Sequence, residues 1–157
     1  MRVKRVKRER QFQRCVVDYA RENGWLVYHT HRTQVRQGCF ITPVYGDSGF
    51  PDLVLSHPVR KITLIVELKQ DGRYPRSDQY RWLVSLFLSG ITVCIWRPSD
   101  LDVIREYLTN PSNPIPSVFS PSRRHIELVV GEKSEMSVFP SYLASKTLET
   151  EGGYQNP

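Results

Sequence analysis

A chain of 157 residues with 39 % hydrophobic and 24 % charged side chains has room for one folded domain and a tail, and its composition excludes disorder throughout. No apolar run approaches the roughly 20 residues of a membrane span, and the charged N-terminus lacks the apolar stretch of a secretory signal. The net charge of +6 is local: Met1 to Arg14 holds seven Lys or Arg against one acid, Glu9, leaving 15 basic and 15 acidic side chains elsewhere.

The patch formed by Arg2, Lys4, Arg5, Lys7 and Arg8 suits contacts with nucleic-acid phosphates, which are strong, salt-dependent and blind to sequence. The same run also serves as a solvated helix end. Cys15, Cys39 and Cys94 are odd in number, with no C-x-x-C pair, which argues against a disulfide framework and a structural zinc site. A cytoplasmic protein is expected, in a host cell or at its nucleoid, without membrane attachment.

Residues 9–23 read as an amphipathic helix, because Phe12, Val16, Tyr19 and Ala20 recur at helical spacing before Gly24. Residues 25–30 are aromatic and β-prone, hence a strand. Residues 31–48 lack periodicity and read as a long loop. Two strands are expected at 52–56 and 61–68, joined through His57-Pro58-Val59-Arg60. Ser77 is placed to cap a helix running to Ser89, with Gly90 beyond it. Residues 91–97 form an apolar strand without alternation, as when both faces are covered. Ser99 and Asp102 make a capping-box-like start for a short helix ending near Leu108.

After Asn110 six of the eleven prolines follow, and serine is frequent. This stretch, residues 111–157, reads as a Pro/Ser-rich C-terminal extension, with 126–130 able to form one strand. Residues 1–110 give a mixed α/β core, a β-sheet flanked by helices.

The chemistry concentrates in Gly49-Phe50-Pro51-Asp52, Val66-Glu67-Leu68-Lys69 and Gln79. If residues 58–61 turn a hairpin, Asp52 and Glu67 lie opposite each other with Cβ atoms roughly 5 Å apart. Two carboxylates that close need a cation if both stay ionised, and hard oxygen donors suit Mg²⁺ or Mn²⁺. The Leu68 carbonyl can add a further oxygen. Strand period 2 puts Lys69 on the face of Glu67, where an ammonium stabilises charge building on a phosphate. A surface Asp–Glu–Lys cluster is the plain alternative, since isolated E-x-K triplets are common. Against it stand the Pro-Asp at hairpin-matched spacing and the apolar Leu64, Ile65, Val66 and Leu68, among which a lone charge is costly.

The string GFPDLVL, followed by LIVELKQDGRYPRSDQYRWLVSLFLSGITVCIWRPSDLDVI, resembles the VRR-NUC domain, a branch of the PD-(D/E)XK nuclease superfamily. The likeness covers residues 9 to 108 and implies a restriction-endonuclease-like fold. It implies that Asp52 and Glu67 bind metal, that Lys69 is the catalytic lysine, and that Gln79 and Glu9 complete the catalytic site. Gly24-Trp25 and Trp96-Arg97-Pro98 fit the family as well. Glu9 is otherwise an acid favoured by a helix N-terminus, and Gln79 a solvent-facing helix residue.

Further expectations are looser. Arg32, Arg36, Arg73 and Arg76 lie in loops flanking the carboxylates, placed to grip backbone phosphates or simply solvated. His29 and His31 form an H-x-H pair that the site does not need. Trp25, Trp82 and Trp96 read as core. The resemblance implies a homodimeric, phage-type endonuclease that prefers branched DNA such as Holliday junctions, with a role in DNA repair or recombination. A flap or single-strand nuclease, a nickase, and a DNA-binding module without cleavage are the alternatives.

Overall fold

The computed structural model describes residues 2–29, 33–36, 39–41 and 46–130, giving only the backbone at 2–9, 33–36, 39–41, 128 and 130. Helix α1 spans Arg2–Glu22 and therefore begins within the basic run, seven residues before the expected start at 9. Phe12, Val16, Val17 and Ala20 are its buried stripe. Its end follows from Gly24: at φ 82 this residue lets its own N–H reach the Arg21 carbonyl (3.1 Å) and that of Trp25 reach Ala20 (3.0 Å), closing the helix in a Schellman motif.

The main sheet contains β1 (Leu26–His29), β4 (Leu53–His57), β5 (Ile62–Leu68) and β6 (Val93–Trp96), in the order β1-β4-β5-β6. Strands β1, β4 and β5 pair antiparallel, while β5 and β6 run parallel. The chain is thus α/β with a mixed four-stranded sheet. A parallel neighbour requires a crossover, and α2 (Ser77–Leu88) supplies it.

The sheet is covered on both faces. Leu53 and Leu55 of β4, Leu64, Val66 and Leu68 of β5, and Cys94 and Trp96 of β6 share one cluster with the α1 stripe and with Ile104, Tyr107 and Leu108 of α3 (Leu101–Thr109). Alternation turns Ile65, Glu67 and Val93 to the opposite face, the side of α2, where Leu83 and Val84 are buried. Buried indole N–H groups are satisfied: Trp25 donates to the Leu108 carbonyl and Trp96 to that of Pro116, each at 2.9 Å. Burial pushes the Cys94 thiol up to about 12, so it behaves as a small apolar side chain.

Several sequence expectations are corrected. The segment 31–48 is not all loop, because β2 (Thr33–Arg36) and β3 (Cys39–Ile41) pair antiparallel in a separate two-stranded sheet. Strands of three and four residues are too short to show alternation against a polar background. Ser77 is the first residue of α2, and Arg76 is the capping position, because the Gln79 side chain reaches back to the Arg76 N–H (3.0 Å). A 3₁₀ turn at Pro98–Asp100 precedes α3, and Asp100, not Ser99 with Asp102, closes that start by accepting the Arg97 N–H (3.2 Å). Trp82 is not core: it is half-buried, donates to the Ser48 carbonyl (3.0 Å) and meets Phe50 edge-on at 5.1 Å.

The chain divides into two units, residues 1–119 and 120–157. Residues 111–119 join the first, where Val118 bridges to Cys94 and Phe119 is buried beside Tyr80 and Phe87. In the second, Arg123–Val130 is a helix, α4, where a strand was expected at 126–130. An Arg123–Glu127 ion pair at i, i+4 (2.9 Å) and the Ser122 carbonyl, which accepts the His125 N–H, favour the helix over the β-propensity of the sequence. Among the described residues no helix is long and apolar enough to cross a membrane.

Candidate active site

Leu53 pairs with Val66 and His57 with Ile62, so the β4–β5 turn occupies residues 58–61. Continuing that register by one residue sets Asp52 opposite Glu67, at the mouth of the ribbon. The Asp52 carboxylate is anchored there, since its Oδ2 accepts the Leu68 N–H at 2.9 Å.

Glu67 is the unusual member. Its side chain is fully buried, yet only one of its oxygens is occupied: Oε1 accepts from Lys69 Nζ and from Gln79 Nε2, while Oε2 has no hydrogen-bond partner. A buried carboxylate oxygen left unsatisfied is expensive, and most buried polar atoms in folded proteins avoid it. Desolvation, with the nearby charge of Asp52 adding to it, pushes the Glu67 carboxyl up to about 7; Lys69 and Arg76 act in the opposite direction. Lys69 keeps 15 % of its side chain exposed, so its ammonium stands between the buried acid and solvent.

Gln79 comes from the first turn of α2 and is buried. Its amide is used at both ends: the N–H₂ donates to Glu67 and the oxygen accepts from Arg76. This double use fixes the amide orientation and ties the start of α2 to β5. Arg76 is exposed and paired with Asp78 (3.1 Å), which it holds below the usual carboxylate range. It still lies close enough to Asp52 and Glu67 for their charges to be felt. The structure therefore brings Asp52, Glu67, Lys69, Gln79 and Arg76 together.

The other expected contributors fare differently. Arg73 is exposed on the loop between Lys69 and Arg76. Arg36 belongs to β2, not to a loop, because it pairs with Cys39. Glu9, Arg2, Lys4, Arg5, Lys7 and Arg8 lie on α1, but their side chains fall outside the described residues, as do Arg32 and His31. His29 sits on β1 opposite Leu53, away from the carboxylates by alternation.

One contributor was not legible as such. Gly49, at φ 90, passes so close to the start of α2 that a Cβ there would lie 2.5 Å from the Asp78 carbonyl carbon and 2.8 Å from the Gln79 nitrogen. Together with the Asp47–Arg81 ion pair (3.0 Å) and the contacts of Ser48 and Phe50 with Trp82, it clamps the loop that leads to Asp52 onto α2. The glycine before Phe-Pro-Asp was the one available signal.

The donor set fits a hard divalent cation. It offers carboxylate oxygens facing each other across the β4–β5 ribbon, one of them unpartnered and buried, and a hard oxygen set of this kind suits such an ion. The protein ligands are few, because no group of three or more His, Cys, Asp or Glu assembles among the described residues. Mg²⁺ tolerates such a set, since it commonly keeps several waters and binds through one or two carboxylates. In comparison with known proteins, no family model matches the sequence, and neither does any curated protein or solved structure.

Proposed function

We propose that the chain is a metal-dependent DNA endonuclease with a restriction-endonuclease-like core, of the VRR-NUC branch of the PD-(D/E)XK superfamily. One observation carries the reading: a fully buried Glu67 keeps one oxygen unpartnered while facing Asp52 and touching Lys69. Most buried polar atoms in folded proteins are hydrogen-bonded, so a buried carboxylate with a spare oxygen beside a second carboxylate and an ammonium supports a ligand site.

Asp52 and Glu67, with the Leu68 carbonyl, would hold Mg²⁺ or Mn²⁺. When bound, such an ion supplies Lewis acidity toward a phosphodiester and toward water. Gln79 and the Leu68 N–H orient the two carboxylates before substrate arrives. The Lys69 ammonium, already aimed at the site, offsets negative charge that grows on the phosphate as water attacks. Arg76 and Arg73 hold neighbouring phosphates of the strand. The favoured substrate is branched DNA such as a Holliday junction, cut by a homodimer because two strands must be broken.

The test is cleavage of labelled junction, flap, nicked and plain duplex DNA with Mg²⁺ or Mn²⁺, with and without chelator. Ion-dependent cutting of the junction is expected. Asp52→Ala and Lys69→Ala should each slow it about 10²-fold or more while leaving binding largely intact. Preference for flaps or nicks would reassign the substrate, and equal cutting of plain duplex would remove structure selectivity. Binding without any cutting would make the chain a non-cleaving module. Parental rates in both variants would remove the site.

A further inference from the structure

We propose that Tyr74 is a stacking platform for an unpaired nucleotide beside the cleavage position, a subsite that rests on the nuclease reading above and names what in the DNA is recognised. The loop from Lys69 to Arg76 is tied to the Glu67 carboxylate directly at one end and through Gln79 at the other. Lys69 donates to it directly, and the Arg76 N–H is held by the Gln79 oxygen (3.0 Å) while the nitrogen of the same amide donates to Glu67. Between those ends the loop is fastened rather than loose. The Arg73 N–H donates to the Gln70 carbonyl (3.0 Å), Arg97 donates to the Arg73 carbonyl (3.2 Å), Asp71 accepts the Ser99 N–H (3.2 Å), and Pro75 is buried.

On this anchored loop Tyr74 is 68 % exposed. An aromatic ring held in water on a fixed support contributes little to folding, and its position two residues from Arg76 keeps its Cα within about 7 Å of that residue's. Arg73 is exposed on one side and Arg76, exposed but paired through its guanidinium with Asp78, on the other; the remaining nearby acid, Asp71, accepts the Ser99 N–H. Cationic groups that follow a backbone, with an aromatic face between them, are the recurrent means of holding single-stranded nucleic acid, because every base offers a π-face. Paired bases inside a duplex cannot reach such a ring. The subsite therefore selects DNA whose strand is already splayed at the cutting position, as at a fork or branch point.

The full-length protein is mixed with a forked duplex carrying the fluorescent base 2-aminopurine at the first unpaired position, with Ca²⁺ in place of Mg²⁺ so that the strand is held uncut. Affinity is read by anisotropy and stacking by quenching of the reporter base. The parent should quench it; Tyr74→Ala should lose the quench and bind the fork about tenfold more weakly, while Tyr74→Trp should keep both. Unchanged quench and affinity in Tyr74→Ala, or a parent that binds the fork without quenching, would overturn the subsite. Cleavage of the same fork with Mg²⁺ separates the two ideas. A parent that leaves the fork and the junction, flap, nicked and plain duplex DNA all uncut despite a Tyr74-dependent quench would sink the nuclease reading and keep the subsite as one for unpaired nucleotides, whereas cutting without any such quench does the reverse.

Discussion

At the residue scale, the character of the site follows from one carboxylate that cannot be solvated. Glu67 sits among apolar strand residues, with Asp52 across the ribbon, and its carboxyl is raised from the ordinary 4.5 to about 7. The folded state thus holds this proton more tightly than the unfolded chain does. The stability tied to that proton is fully present below pH 4.5 and is lost as pH rises to and through about 7, a total loss of about 3 kcal/mol for this fully buried group. Denaturant titrations in chelator should therefore show stability falling across that window. Glu67→Gln should flatten the fall, and added Mg²⁺ should restore stability on its alkaline side, because a ligand that binds only the folded state stabilises it by mass action. A profile in Glu67→Gln that still matches the parent would place the titration elsewhere.

At the scale of elements, the site depends on how α2 is seated. Its first turn carries Gln79, its outer face holds Trp82 and Arg81 against the loop before Asp52, and Gly49 sets the distance of approach. Gly49→Ala adds a methyl group that meets backbone, not a yielding side-chain tip, and it does so at φ 90, where a Cβ is already strained. The change should cost about 1–3 kcal/mol in urea unfolding. It should also displace Gln79 from Glu67, lowering the cleavage rate by more than it lowers DNA affinity. Wild-type stability and rate in this variant would show that the loop and helix give way freely.

At the scale of the whole molecule, the net positive charge is concentrated at one end of the sequence. The basic run begins α1 as helix, and elsewhere positive and negative side chains are equal in number. Such a segment supplies sequence-independent affinity through release of counterions, with a slope in log K against log salt of about −0.9 per duplex phosphate neutralised. Deleting residues 1–7, which removes Arg2, Lys4, Arg5 and Lys7, should weaken DNA binding and flatten that slope while leaving the preference among DNA structures in place. An unaltered slope would assign this end of α1 to solvent.

What could be read from the sequence was whatever a local pattern dictates. Residue alternation and a turn centred between Val59 and Arg60 set the register that faces Asp52 with Glu67 and keeps Lys69 on the same side. Glycines at 24 and 90 marked where α1 and α2 stop. Features that arise between distant segments were not readable. The parallel β5–β6 pairing, the approach of Gly49 to α2, the double use of the Gln79 amide and the exposure of Tyr74 each depend on elements far apart in the chain. The short strands β2 and β3 and the helix at Arg123–Val130 were missed because local propensity there is weak or opposed by side-chain pairing. Sequence alone determined which groups share a strand face; the tertiary fold decided how dry that face is, because desolvation depends on everything packed around a charge and not on its neighbours along the chain.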